Sequence, residues 1–160
     1  MSVDPVRTRL ELPSAYGAPI DSALLDWSSV VERLEQAEHY WLSTVDRNAA
    51  PNSRPLDGVW VEGAFYFGGD PATRWRRNLA ENPRACLSID DTTNPVILEG
   101  SVSVESLNEN DAEKVAATTK TKYGWGSREQ FQVESCVFRP IRVIAWIGLF
   151  QNATRFRFVD

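Results

Sequence analysis

Three arginines, Arg74, Arg76 and Arg77, follow directly on Thr73 in the stretch DPATRWRRNLAENP. Thr73 is a helix N-cap by type, because its hydroxyl can accept a hydrogen bond from an otherwise unpaired backbone N–H. The arginines then crowd the first helical turn, where the dipole already carries about half a positive charge. Asp or Glu is the usual occupant there, and each cation costs roughly 0.3–1 kcal/mol unless an anion faces it. A phosphate removes the conflict, since free N–H groups at a helix start form a ready anion site. A second reading uses local pairs at helical spacing, Asp70 with Arg74 and Glu81 with Arg77, and leaves a solvated face. The charges by themselves allow both.

Other chemistries find less support. A Walker motif and a GxGxxG fingerprint are both missing, which leaves nucleotide hydrolysis without its usual cradle. His39 is the sole histidine, at a helix-to-strand junction, and reads as a structural or surface residue rather than a haem ligand or general base. Asp90 and Asp91 are adjacent, so on a strand they would point to opposite faces. Cys86 and Cys136 lack metal-ligand spacing and read as reduced thiols, which points to a cytoplasmic protein. The formal net charge of −5 argues against a general nucleic-acid binder. No apolar run reaches the length of a membrane span. What remains is a site where a bound cofactor carries the reaction and the protein binds and orients it.

The elements that must position such a site follow from periodicity. Residues 1–19 contain three prolines and no sustained period, and are expected as an arm, ahead of one domain over 20–160. Asp21 to Glu38 places Leu24, Trp27, Val30, Val31 and Leu34 at helical spacing. Tyr40–Val45 reads as a strand, Asp46–Ala49 as a turn, and Ala50–Trp60 as a strand interrupted by Pro51, Pro55 and Gly58. The run VWVEGAFYFG is a hairpin hinged at Glu62-Gly63. Further strands follow Pro83 and span Pro95–Val104, with Gly100 in the middle of the second. Asn108 caps a helix over Glu109–Tyr123, with Asp111 completing an approximate capping box. Tyr123–Gln130 is expected as a loop. Val133–Gly148 reads as two strands meeting at Arg139-Pro140 or as one bent strand. Thr154–Val159 alternates with Phe156 and Phe158 inward and Arg155 and Arg157 outward.

In order, the pieces STVDRNAAPNSRP, YFGG, Thr73-Arg74, NLAENP, VILEGSVSV, FRPIRVIAW and ATRFRF resemble the pyridoxamine 5'-phosphate oxidase-like superfamily, across residues 38 to 158. The resemblance implies a mainly β (α+β) fold, a six-stranded antiparallel split β-barrel with a few peripheral helices. It implies an oxidoreductase that binds FMN, or alternatively the deazaflavin F420, and transfers a hydride to or from a small organic substrate. A non-catalytic flavin- or haem-binding protein of the same fold is the alternative. The phosphate would sit at Thr73, Arg74, Arg77 and Asn78, beside Gly68 and Gly69, with Arg54, Pro55, Leu56 and Val59 along the ring edge. Trp60 or Trp146 would wall the ring, and Trp146 and Arg155 would approach from the second subunit of a homodimer. One departure is visible: the family often carries a phosphate-binding Lys two residues after the Thr73 position, and here that residue is Trp75.

Overall fold

Period-two patterning governs the sheet. In the computed structural model, which describes residues 4–17 and 22–158, nine strands form one antiparallel sheet and four α-helices pack around it. The strands are β1 (Val6–Arg9), β2 (Tyr40–Val45), β3 (Pro51–Leu56), β4 (Val59–Val61), β5 (Ala64–Phe67), β6 (Arg84–Ile89), β7 (Val96–Glu105), β8 (Ser135–Ile147) and β9 (Gln151–Arg157). The helices are α1 (Trp27–Gln36), α2 (Arg74–Glu81), α3 (Glu109–Tyr123) and α4 (Arg128–Val133). The sheet runs β1-β9-β8-β7-β6-β2-β3, with the β4–β5 hairpin attached through β5 to β8. β8 divides the structure. Cys136–Phe138 pair with β5, while Arg142–Ile147 pair with β9. This is the expected split-barrel type with peripheral helices, built from nine strands among the described residues rather than six. Its sheet is not closed, and β3 stands at one end.

Alternate residues of the central strands build the core: Tyr40 and Leu42, Leu87 and Ile89, Val96 and Leu98, Val143 and Ala145, with Phe156 from β9. Val30 and Leu34 of α1 close it from one side. A smaller cluster joins Ala112, Val115 and Ala116 of α3 to Phe131 of α4 and Val137 of β8. Asn108 caps α3 as expected, its side chain accepting the Asp111 N–H at 2.9 Å.

Four boundaries differ from the reading above, the first three for a tertiary reason and the last for a local one. Residues 6–9 of the expected arm form a strand that pairs with β9. α1 begins at Trp27, not Asp21, which lies outside the described residues. The Leu25 N–H donates to Thr154 Oγ1 at 2.9 Å and Arg7 pairs with Asp26, so this approach to α1 is held extended. The strand expected over Ala50–Trp60 breaks at Asp57–Gly58, where a Cβ on Gly58 would run into the Phe65 ring. The expected loop ends in α4, started by a capping box between Ser127 and Gln130. Val133–Gly148 resolves as one bent strand, with a bulge opposite Glu99-Gly100.

Candidate cofactor site

The start of α2 is built from the β5–α2 loop. Gly68 and Gly69 are exposed, and a Cβ on Gly69 would overlap the Trp75 ring. Trp75 is 4% exposed and packs 5.5 Å from the Phe67 ring, so the family's lysine position here faces the core. Asp70 Oδ1 accepts the Ala72 N–H at 2.7 Å, and the Thr73 hydroxyl donates to the Asp70 carbonyl at 2.8 Å. Thr73 therefore occupies the N-cap position with no side-chain cap bond, and the first turn contains no acid. Asn78 is buried, and its amide donates to Thr44 Oγ1 at 3.0 Å, anchoring α2 on β2.

The three arginines divide. Arg76 turns inward, only 9% exposed, with Nη2 2.9 Å from Glu134 and Nη1 3.1 Å from Cys136 Sγ. That arginine ties α2 to β8 and is not available to a ligand. Arg74 and Arg77 face a hollow of about 300 Å³ that they share with Asp46, Arg47, Asn48, Asn78 and Glu81. Arg74 pairs with Asp46 at 3.4 Å rather than with Asp70, and Arg77 donates to the Ala72 carbonyl rather than to Glu81. The Ala50 and Asn48 N–H groups, with Arg74 beyond them, hold the Asp46 carboxyl below its usual range. An anion entering the hollow would compete with that carboxylate for Arg74.

Strand register places the remaining expected residues. Asn52 lies opposite Thr44 and Arg54 opposite Leu42, so Arg54 shares the α2 side of the sheet. Arg54 and Pro55 are exposed on the end strand, while Leu56 packs half-buried against the core. Val59 is 1% exposed and can present only its backbone. Trp60 packs edge-on against Trp27 at 3% exposure and cannot wall a ligand in this chain. Trp146 and Arg155 stand on β8 and β9, with β7, β6 and β2 between them and β3. Within one chain they do not meet the α2 hollow. Arg155 Nε is buried without a hydrogen-bond partner. Asp46 and Asn48 were legible in the sequence only as turn residues, and nothing there indicated that the turn faces α2.

A larger cleft, of about 700 Å³, opens across β2, β6, β7, β8 and β9, and Arg84, Arg142 and Arg157 line it. A third polar cluster surrounds Gly58. Lys122 Nζ donates to Tyr40 Oη at 2.7 Å and lies 4.7 Å from the Tyr40 ring centroid. Burial pushes the Lys122 ammonium down to about 8. The Tyr123 hydroxyl accepts the Gly58 N–H at 3.2 Å, and Trp125 stacks on the Tyr123 ring, half exposed. His39 is exposed beside Asp57 at 3.4 Å. Among the described residues no group of three or more His, Cys, Asp and Glu could hold a metal, and no helix is long and apolar enough to cross a membrane.

The model of the pyridoxamine 5'-phosphate oxidase family matches residues 28–146. The chain belongs to this family. Solved structures agree on the fold. Conserved hypothetical protein Rv2991 from Mycobacterium tuberculosis superposes with a TM-score of 0.66 at 12% identity, over 81% of this chain and 89% of that one. HutZ, the haem storage protein from Vibrio cholerae, gives 0.60 at 17% identity, over 77% and 96%. An F420 reductase gives 0.54 at 17% identity, over 70% and 93%. None of the curated proteins matches this chain. The pyridoxamine 5'-phosphate oxidase fold is thus shared with a reductase and with a haem storage protein, so membership alone does not choose the activity.

Proposed function

We propose that this member of the family is an oxidoreductase that holds FMN by its phosphate at the start of α2 and transfers a hydride to or from a small organic substrate. The observation that carries the reading is the helix start itself: no capping side chain, no acid in the first turn, and Arg74 and Arg77 exposed beside it. Those groups fit a phosphate, with Arg54 on the same side of the sheet to extend the contact. F420 also carries a phosphate and fits the same donors. Either cofactor would supply the hydride chemistry, and the chain would supply the anion site and the exposed backbone of β3 along the ring edge.

The ring then needs a second wall, which the proposed homodimer provides. The β8–β9 turn carries Ile147 at 43% and Leu149 at 75% exposure, next to Trp146. In a partner copy this turn would bring Trp146 and Arg155 toward the cofactor. Two free thiols support a cytoplasmic location. A haem-binding reading draws no support from His39, whose neighbours Glu38, Asp57, Asp90 and Asp91 are acidic. Titration with FMN, riboflavin and F420, alongside sedimentation equilibrium, tests the proposal. Phosphorylated flavin or F420 should bind in preference to riboflavin, and the protein should sediment as a dimer of 18.0 kDa chains. Failure of both cofactors to bind overturns the reading, and a monomer that binds with full affinity removes the shared site.

A further inference from the structure

All three lysines of the chain, Lys114, Lys120 and Lys122, lie on α3, and their surroundings differ. Lys114 pairs with Glu62 at 2.6 Å, and that hydrogen bond holds its ammonium above the usual range. Lys120 is exposed. Lys122 is half-buried in the last turn, where Nζ donates to Tyr40 Oη at 2.7 Å and approaches the Gly58 carbonyl at 3.4 Å. It lies over two aromatic rings, 4.7 Å from the Tyr40 centroid and 5.4 Å from that of Tyr123.

Two features prepare this amine for chemistry. The first is its proton. The negative end of the α3 dipole, both ring faces, and the charges of Asp57 and Glu38 favour the ammonium. Burial outweighs them and brings the group down to about 8. At pH 7.5 roughly a quarter of Lys122 is then neutral, against about 0.1% of an ordinary lysine. The second feature is that the donors around it are spent. Tyr40 Oη donates to the Leu34 carbonyl, and Tyr123 Oη to the Glu38 and Gly58 carbonyls at 2.8 and 3.0 Å. The Gly58 N–H donates to Tyr123 Oη at 3.2 Å. Burial raises both phenols, with Glu35 adding to it at Tyr40, so they stay protonated while the amine titrates. His39 is exposed beside Asp57. The lone pair of neutral Lys122 meets no donor among these neighbours and stays open to an electrophile.

The same neighbours select the adduct. They are ring faces, backbone carbonyls and the carboxylates of Asp57 and Glu38, so an added anion finds no partner among them. A carbamate or a dicarboxylic acyl group brings such a charge. A small uncharged acyl group does not, and its amide keeps one N–H for Tyr40 Oη. We propose that Lys122 is a modification site, a nucleophilic amine that takes a small uncharged acyl group from an acyl phosphate, a donor compact enough for a half-buried nitrogen. The lone pair attacks the acyl carbon, the bond from that carbon to the phosphate oxygen breaks, and phosphate leaves with the electron pair. The surplus proton on nitrogen passes to solvent, and nothing is oxidised or reduced. The amide has a single N–H, so acylation gives up the contact to the Gly58 carbonyl, at the break between β3 and β4.

Acetyl phosphate is the probe, applied to the full native chain between pH 6.5 and 10, with site-resolved mass spectrometry at low conversion. At pH 7.5 Lys122 should be acetylated at least about fivefold faster than exposed Lys120, and Lys114 should be slowest. The Lys122 rate should level off above about pH 9, one unit past its midpoint. In concentrated urea the three sites should react alike. Asp57→Asn removes an exposed charge that favours the ammonium, and should raise the Lys122 rate at pH 7 about twofold. The proposal fails if native Lys122 reacts no faster than Lys120, if the preference persists in urea, or if Asp57→Asn slows the reaction. No step of the test uses FMN, so the α2 site is judged separately.

Discussion

Replacing Arg74 with glutamine separates a phosphate site from a solvated surface pair. In the folded protein Arg74 is half exposed and 3.4 Å from Asp46. Losing an exposed pair of this kind costs about 0–1 kcal/mol. Removing a cation from the positive end of the α2 dipole returns about 0.3–1 kcal/mol. The two nearly cancel, so the apo melting temperature should move little. Phosphate binding behaves differently. A charge-assisted hydrogen bond contributes roughly 1.5–3 kcal/mol, so FMN should weaken about ten- to a hundredfold. Riboflavin, which lacks the phosphate, should keep its affinity. The converse variant sharpens the test. Asp46 Oδ1 accepts the Asn48 and Ala50 N–H groups at 2.9 and 3.0 Å, and Asp46→Asn can keep these turn bonds while removing the charge that competes for Arg74. FMN should then tighten by up to about fivefold, the upper range for an exposed pair. Dissociation constants for both flavins, measured by fluorescence quenching, decide the matter. Equal losses for FMN and riboflavin in Arg74→Gln would refute the phosphate assignment.

Three further outcomes follow from the packing around this site. Gly69→Ala should destabilise the protein by about 1–3 kcal/mol in urea unfolding, because the added Cβ meets the Trp75 ring and α2 must shift. Trp75→Lys, which restores the residue common in the family, should lose about 3–5 kcal/mol and gain no affinity for FMN, since position 75 faces Phe67 in the core. An unchanged urea midpoint would contradict that placement. Lys122 titrates near 8 when folded and near 10.5 when unfolded, so the unfolded chain holds the extra proton between those values and its contribution to stability rises with pH across that window. Cys86, Cys136 and Tyr123, all raised by burial, act in the opposite direction toward alkaline pH, so the check is a difference: the urea midpoint of the native protein minus that of Lys122→Met should rise from pH 8 to 10.5.

The strands of the core were legible because their side-chain period is two and the buried face alternates cleanly, as in Tyr40, Leu42 and Thr44 or Val96 and Leu98. α3 was legible from local chemistry, an Asn cap followed by Asp111. α4 carried an equally local signal, Ser127 with Gln130, that a reading dominated by Gly124 and Gly126 passes over. β1 and the late start of α1 had no local signal. β1 exists because β9 offers it an edge, and α1 waits for Trp27 because Thr154 and Arg7 hold the residues ahead of it.

The same division runs through the candidate site. The residue types DPATRWRRN, a threonine before a basic first turn, determined that α2 would begin with arginines and no acid. Only the tertiary structure decided which arginine faces solvent, because that depends on where the helix rests on the sheet. Trp75 and Asn78 are drawn toward Phe67 and Thr44, which turns Arg76 to Glu134 and leaves Arg74 and Arg77 over the Asp46 turn. The second basic cleft was out of reach of the sequence for the same reason. Arg84, Arg142 and Arg157 belong to three strands, and their place on one face rests on antiparallel register and on the Gly100 bulge. A one-residue slip in either would send a guanidinium to the opposite face.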